Sequence, residues 1–322
     1  MKKISDYSAV VEKTIRDITL PAGELASLYE PVSYAMAAGG KRLRPALLLM
    51  TADSFGGQEV NAADPAIGIE LFHNFTLLHD DVMDNSETRR GRQSVYAKWD
   101  INTAILSGDT MLTLATEYIS HVADKDLRQV LNIFNAMALR VYEGQRLDMD
   151  FESKENISID MYLRMIGDKT GSLLGASARI GAIIGGATEK DAALMQEFGE
   201  MLGIAFQIQD DWLDVFGDST TFGKPIGGDI NNNQKSYLYL RALEAGGPEA
   251  EALAEAMRLP AGDTKVKVVT RLYEKMNISE LCRQTISAYS AKALAALRGT
   301  SLSDEQKEPF RLLVEKLTGR KK

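Results

Sequence analysis

Apolar residues recur three and four positions apart along most of the chain, which is the spacing of one face of an α-helix. The pattern is clear over 101–122, 127–151 and 192–216. Strict alternation of apolar and polar residues over five or more positions is scarce, so strands are not expected. We therefore predict an all-α protein with ten or more helices and no real sheet.

One apolar segment, residues 173–186, is rich in glycine and alanine and resembles a membrane span with small-residue packing. Arg179 stands near its middle, and the segment is shorter than the roughly 20 apolar residues that a span needs. We interpret it as a buried helix that lets a neighbouring helix or a lipid tail come close. No transmembrane segment is expected.

Composition narrows the class of protein. The 322 residues are 45% hydrophobic and 25% charged, and no Pro/Ser-rich linker divides them, so we expect one domain over residues 1–322. The net charge of −8 argues against general affinity for nucleic acid. The chain has one cysteine, Cys282, and its first residues lack the apolar core of a signal peptide, which favours the cytoplasm.

The most informative motif is Asp-Asp-x-x-Asp, which occurs twice. Its aspartates are Asp80, Asp81, Asp84, Asp210, Asp211 and Asp214. Each copy places three like charges on one helical turn at the end of an apolar stretch, so a positive partner is expected. Clusters of carboxylate oxygens suit hard divalent ions, and Mg²⁺ takes substrate phosphate oxygens as further ligands. The alternative to a metal-binding role is that the two motifs are unrelated acidic turns of two helices.

The chain also contains several short segments of basic residues, most of which include a glycine. These segments contain Lys41, Arg42 and Arg44; Arg89 and Arg90; Lys169 beside Thr170; Lys224; and Lys235. Each residue alone is more often a solvated surface charge than a ligand. Their positions beside an aspartate motif or a glycine-rich turn favour binding of a phosphorylated substrate.

In this order the motifs resemble those of the trans-type isoprenyl diphosphate synthases, the family of farnesyl and geranylgeranyl diphosphate synthases. The resemblance runs from about Gly39 to Lys235 and includes Gly-Gly-Lys-x-x-Arg-Pro, the first aspartate motif with Arg-Arg-Gly behind it, Lys-Thr, and Phe-Gln-x-x-Asp-Asp-x-x-Asp with a Gly-Lys loop. The chain departs from the family at Gln234-Lys235-Ser236-Tyr237, where Gly-Lys-x-Thr is common.

The resemblance implies a single-domain helical bundle of the isoprenoid synthase type around a central substrate cavity, usually as a homodimer. It implies Mg²⁺, three ions with Mn²⁺ as a substitute, held by Asp80, Asp84 and Asp210 with Asp81, Asp211 and Asp214 in support. The implied substrates are isopentenyl diphosphate and an allylic diphosphate (dimethylallyl, geranyl or farnesyl). Arg89, Lys169 and Lys224 would bind the allylic diphosphate, and Lys41, Arg44, His73 and Arg90 the isopentenyl diphosphate. Thr170 and Gln207 would present oxygen dipoles to the allylic cation.

Product length is expected to depend on side chains that precede Asp80 on the same helix. Thr76, Phe75 and Phe72 lie four, five and eight positions earlier. One helical turn rises about 5.4 Å, close to the length of one isoprene unit, so a bulky residue there stops growth at a definite step. An aromatic residue five back beside a small one resembles the twenty-carbon synthases. We predict geranylgeranyl diphosphate, with farnesyl diphosphate as the alternative.

Three other functions stay open on the sequence alone. A class I terpene cyclase shares the first aspartate motif and the helical fold. The pair His79-Asp80 is also found in metal-dependent phosphohydrolases of the HD type, which normally use several histidines, whereas this chain has three. The third is a non-catalytic partner subunit, although such a subunit has no need of six carboxylates that repel one another.

Overall fold

The all-α prediction is confirmed. The computed structural model describes residues 2–154, 156–217 and 226–319, and these are helical except for turns and one small hairpin. The helices are α1 (Ile4–Asp17), α2 (Ala26–Met36), α3 (Leu43–Ser54), α4 (Glu59–Met83), α5 (Val95–Lys98), α6 (Ile101–Ser120), α7 (Asp124–Ser153), α8 (Ile159–Ile166), α9 (Ser172–Ile184), α10 (Glu189–Phe216), α11 (Gly228–Asn231), α12 (Tyr237–Ala245), α13 (Pro248–Ala256), α14 (Asp263–Lys275), α15 (Ile278–Arg298) and α16 (Asp304–Thr318).

The hairpin is the one departure from the predicted absence of sheet in the described part of the chain. Its strands, β1 (Thr88–Arg89) and β2 (Arg92–Gln93), pair antiparallel. Arg90 and Gly91 form the turn, and both have positive φ. This conformation is easy for glycine and uncommon for other residues, so Gly91 is what makes the tight reversal possible.

The chain divides into two compact units, and each is assembled from separated stretches of sequence. The first unit consists of Met1–Ala136, Ala176–Met195 and Ser301–Pro309. The second consists of Met137–Gly175, Gln196–Thr300 and Phe310–Lys322. The organisation of residues 1–322 as a single domain stays a prediction.

In the first unit, α4 packs against α3 and α6. Gly68 allows the close approach to α6, because a Cβ there would come within 2.8 Å of the carbonyl oxygen of Ala115. The core of this unit includes Phe72 and Phe134, whose ring centroids are 5.4 Å apart. Helix α6 begins at Ile101 because the carboxylate of Asp100 accepts the N–H of Thr103 at 2.8 Å, which satisfies a free helix-end donor.

A buried ion pair also lies in the first unit. Arg42, at the amino end of α3, donates to Glu70 of α4 at 2.6 Å and to Glu12 of α1 at 2.7 Å. Its side chain is 0% exposed and that of Glu70 is 2% exposed. Arg42 also donates to the carbonyl of Met36. Glu70 accepts a further bond from Asn74 at 3.0 Å, so the buried carboxylate has more than one donor.

The second unit has its own apolar core. Side chains from α8, α10, α12, α14 and α15 meet there, among them Ile208, Trp212, Leu238, Tyr273 and Cys282. The indole of Trp212 donates to Ser279 at 2.9 Å, so its polar atom is satisfied inside the core.

The predicted helical windows are found as α6, α7 and α10, and the small-residue segment forms α9. The residues of α9 are buried except Arg179 and Ile184, which are partly buried, so the buried-helix interpretation is confirmed. Among the residues that the structure describes, no helix is long and apolar enough to cross a membrane.

Candidate active site

The first aspartate motif lies at the carboxyl end of α4. Asp81 is buried, Asp80 is partly buried, and Asp84 is the exposed residue that ends the helix. Carbonyl groups at this end of a helix create a negative potential. Three carboxylates placed there repel the helix end as well as one another, so the arrangement requires a cation.

Arg89 provides part of this positive charge. Its Nε and Nη2 donate to one oxygen of Asp81 at 2.9 and 2.5 Å. Burial raises the pKa of Asp81, and the bond from Arg89 opposes that rise. Because the hairpin carries Arg89, Asp81 fixes the orientation of a residue that the family resemblance assigns to the allylic diphosphate.

The residues assigned to isopentenyl diphosphate come together in the first unit. Arg44 Nη1 donates to His73 Nε2 at 3.2 Å, since a guanidinium has only donors. Burial, with the positive charges of Arg44 and Arg90, lowers the pKa of His73 well below 6.5. The imidazole is therefore neutral near pH 7.

Two segments of this cluster interlock at Gly40. Arg90 donates to the carbonyl of Gly39, and a Cβ on Gly40 would lie 2.9 Å from the Arg90 guanidinium carbon. A side chain at position 40 would displace the end of the flexible Arg90 side chain, and the φ of +134° at this position favours glycine. The exposed Lys41 follows Gly40 directly in the chain and adds a further basic residue to this segment.

Tyr34 of α2 holds the hairpin in place, a role that the sequence did not reveal. Its hydroxyl donates to the carbonyl of Gln93 at 2.9 Å. The guanidinium of Arg92 and the ammonium of Lys98 lie 4.1 and 4.0 Å from its ring centroid, within cation–π range. The Tyr34 ring also packs edge-to-face with Trp99, and the two ring centroids are 5.2 Å apart. The hairpin that carries Arg89 is thus tied to α2 through one aromatic ring.

The candidate length-determining residues lie on α4 in the first unit. Phe72 and Phe75 are buried, with ring centroids 5.6 Å apart. Phe75 also packs edge-on against the ring of His79 at 4.8 Å. Thr76 is partly buried and its hydroxyl donates to the carbonyl of His73 at 2.8 Å. Phe75 is thus held by an aromatic ring on each side, which suits a rigid stop.

The second aspartate motif occupies the last turns of α10, again at the negative end of a helix. Asp211 accepts bonds from the Tyr162 hydroxyl at 2.5 Å, the Tyr237 N–H at 2.8 Å and Gln207 Nε2 at 3.3 Å. Burial nevertheless raises the pKa of Asp211 to about 6. Asp214 accepts the N–H of Asp229 at 3.0 Å, and Asp210 is partly exposed.

Lys169 and Thr170 lie on a wide π-helical turn, Gly167–Gly171, between α8 and α9. Turns of this kind are frequent at functional sites. Lys169 pairs with Asp148 at 2.7 Å, and Thr170 donates to Gln207 Oε1 at 3.3 Å. Gly144 of α7 lets the turn approach, because a Cβ there would lie 2.8 Å from the Lys169 Cα.

Two of the predicted substrate-binding lysines, Lys235 and Lys224, remain to be located. Lys235 lies at the end of α7, where it donates to the carbonyls of Phe151 at 2.7 Å, Glu152 at 3.4 Å and Lys154. It therefore caps the carbonyl end of that helix, and its role in substrate binding stays a prediction. Lys224 lies outside the described residues.

The donor set fits a hard divalent cation, although in the described ranges no group of three carboxylate, imidazole or thiol side chains is gathered tightly enough to hold a metal ion. Each triplet offers oxygen atoms only, which is what Mg²⁺ prefers.

Comparison with known proteins identifies the class to which this fold and these motifs belong. Residues 25–276 match the polyprenyl synthetase family, and that range contains every site residue discussed above. The chain therefore belongs to this family of prenyltransferases of isoprenoid biosynthesis, which are generally metal-dependent, and it is a short-chain prenyl diphosphate synthase.

Individual relatives agree with this assignment. The geranylgeranyl diphosphate synthase of Methanosarcina mazei is 37% identical over 246 residues, 76% of each chain. The geranylfarnesyl diphosphate synthase of Natronomonas pharaonis is 35% identical over 261 residues, also 76% of each chain. A crystal structure of a geranylgeranyl pyrophosphate synthase is 39% identical and superposes over 100% of both chains with a TM-score of 0.94.

Proposed function

We propose that the protein condenses isopentenyl diphosphate with an allylic diphosphate in the presence of Mg²⁺, and that its main product is geranylgeranyl diphosphate. The observation that carries this proposal is the cluster of Arg44, His73 and Arg90, which gathers donors for a diphosphate in a family of prenyltransferases. A terpene cyclase has no need of such a site, and the family match favours prenyl transfer over the hydrolysis of phosphate esters.

In this proposal the basic cluster orients isopentenyl diphosphate. Arg44 and Arg90 supply charged donors, and the neutral His73 adds no further charge that would repel them. Lys41 is exposed, and the side chain of Arg42 lies in its buried ion pair. Arginine suits diphosphate because its planar donors match two phosphate oxygens at once.

The allylic diphosphate binds, in this proposal, to Arg89, Lys169 and Lys224. Both aspartate motifs would hold Mg²⁺, three ions in all with Mn²⁺ as a substitute, which would neutralise the leaving diphosphate. The allylic carbon–oxygen bond breaks with its electron pair on the diphosphate. The double bond of isopentenyl diphosphate then forms the new carbon–carbon bond, and a proton leaves to the released diphosphate. Thr170 and Gln207 present oxygen atoms to the cation.

Product length cannot be taken from overall similarity, because relatives of nearly equal identity bear the names of products that differ by one isoprene unit. Phe75 supports the twenty-carbon product. It is buried between two aromatic rings and has the smaller Thr76 beside it. Farnesyl diphosphate is the alternative if Thr76 also narrows the path.

The assembly and location of the enzyme are part of the proposal. Helix α6 exposes the apolar side chains of Ile101, Ile105 and Leu106, which supports a homodimer. The buried thiol of Cys282, the single cysteine of the chain, supports a cytoplasmic enzyme that needs no disulfide. The measured mass in solution tests the first point.

The deciding experiment is incubation with labelled isopentenyl diphosphate, Mg²⁺ and dimethylallyl, geranyl or farnesyl diphosphate in turn. Extractable products are then separated by chain length. Twenty-carbon product from all three primers supports the proposal. Cyclic hydrocarbon, release of phosphate alone, or no product in any incubation would contradict it.

A further inference from the structure

A chain of hydrogen bonds in the second unit connects a buried tyrosine with Thr170. Tyr162 of α8 donates its hydroxyl to one oxygen of Asp211 at 2.5 Å. Gln207 donates its amide nitrogen to the other oxygen of Asp211 at 3.3 Å. Thr170 donates its hydroxyl to the amide oxygen of Gln207 at 3.3 Å. We call these four residues the Tyr162 relay.

The relay has a fixed direction. An ionised Asp211 accepts hydrogen bonds and cannot donate them, so the nitrogen of the Gln207 amide must face it. The amide oxygen then faces Thr170 and takes its hydroxyl proton. As a result, the lone pairs of the threonine oxygen remain available to a positive partner. If the Gln207 amide turned over, Thr170 would become an acceptor and its proton would point elsewhere.

Tyr162 gives the relay its firm end. The hydrogen bond from Tyr162 to Asp211 measures 2.5 Å, which is 0.8 Å shorter than the 3.3 Å bond from Gln207. Short hydrogen bonds to a charged acceptor are the stronger ones. Both Tyr162 and Asp211 are buried, so water does not replace a lost partner readily. The Tyr237 N–H also reaches the oxygen that Tyr162 binds. The rotation of the carboxylate is therefore set from the side opposite Gln207.

We propose that Tyr162 is a positioning residue for catalysis, which fixes the oxygen of Thr170 towards the allylic cation through Asp211 and Gln207. This inference rests on the proposed function, in which Thr170 and Gln207 stabilise that cation. Tyr162 does not contact substrate in this scheme. Its effect falls on the step in which positive charge develops, because preorganised dipoles act most strongly there.

Tyr162→Phe tests the inference, because it removes the hydroxyl and keeps the ring. We expect kcat to fall about tenfold while the KM of each substrate stays within about twofold, since the lost orientation matters mainly in the transition state. Tyr237→Phe is the matched control. Its ring centroid is 6.1 Å from that of Tyr162, but its hydroxyl bonds Thr285 and only its backbone touches Asp211. This control should keep kcat within twofold of the wild type.

A double-mutant cycle separates the relay from a general effect on the fold. In a Gln207→Leu background the relay is already broken, so adding Tyr162→Phe should lower kcat less than twofold further. An unchanged tenfold loss in that background would overturn the proposal. So would a wild-type kcat in Tyr162→Phe, a rise in KM alone, or an equal loss in Tyr237→Phe.

Two further outcomes stay distinguishable. If the wild type makes no prenyl product, the proposed function fails, whereas product formation with an unaffected Tyr162→Phe variant removes only the relay. If Tyr162→Phe loses its helical circular dichroism, the hydroxyl is needed for folding, and that result overturns the positioning role.

Discussion

Replacing Arg42 with methionine should destabilise the protein strongly, because it breaks the buried ion pair of the first unit. Methionine keeps the length and apolar stem of the side chain and removes its charge. Arg42 has a φ of +46°, and methionine bears the same backbone strain there, so that cost cancels in the comparison. What remains is the carboxylate of Glu70, 2% exposed, without the guanidinium that lies 2.6 Å away.

The size of the effect follows from that burial. Removing one partner of a buried pair costs about 3–5 kcal/mol, since the other charge stays out of water. The bond from Asn74 to Glu70 at 3.0 Å places the loss near the lower end. The lost bond to Glu12 adds little to the destabilisation, because the Glu12 side chain is 35% exposed and water solvates it. A loss of about 3 kcal/mol corresponds to a fall in Tm of roughly 4–5 °C for this chain of 322 residues, because the entropy of unfolding is about 2.1 cal/mol/K per residue.

Thermal and urea unfolding followed by circular dichroism measure the effect. Arg146→Met is the matched control, because it breaks an exposed pair with Asp150 and should change stability by less than about 0.5 kcal/mol. Adding Glu70→Leu to Arg42→Met removes the stranded charge and should restore at least half of the loss. A cost below about 1 kcal/mol for Arg42→Met, or no recovery in the double variant, would refute the reasoning.

Three further predictions concern activity. Asp80→Asn or Asp210→Asn should lower turnover by several orders of magnitude with unchanged circular dichroism, and near-normal condensation by either variant would contradict the metal-binding role. Arg90→Ala should raise the KM of isopentenyl diphosphate far more than that of the allylic substrate and Lys224→Ala should do the reverse, so equal effects would show that the two binding sites are misassigned. Phe75→Ala should shift products to twenty-five carbons or more, and an unchanged product with lowered stability would leave Phe75 a core residue.

The sequence predicted the helical fold well because the apolar spacing of α6, α7 and α10 is regular over five or more turns. It also singled out Arg44, His73 and Arg90, which the structure brings together from three separate segments. This grouping was predicted from the family resemblance, which rests on the order of the motifs. The spacing of positions 44, 73 and 90 does not show that these residues meet.

Other features lay beyond the sequence because they depend on partners distant in the chain. Arg42 stands in the same basic segment as Lys41, yet it is buried against Glu70, and only a glutamate inside an apolar helix signals such a pair. The capping of α7 by Lys235 joins residues about 80 positions apart. Tyr162 belongs to no motif, and its importance appears only once its hydroxyl is seen at Asp211.

In each unit, the spacing of the aspartate motif makes its middle carboxylate point away from the face shared by the first and last aspartates. Positions i and i+4 share one face of a helix, whereas i+1 points about 100° away. In the first unit that middle residue, Asp81, accepts bonds from Arg89, and in the second unit Asp211 accepts them from Tyr162 and a backbone N–H. Both are buried and hydrogen-bonded within their own unit. The middle carboxylate of each motif is thus held by partners of its own unit, which suits a role in fixing the geometry of the groups around it. In the second unit the outer Asp214 shares this character, since it is buried and accepts the Asp229 N–H.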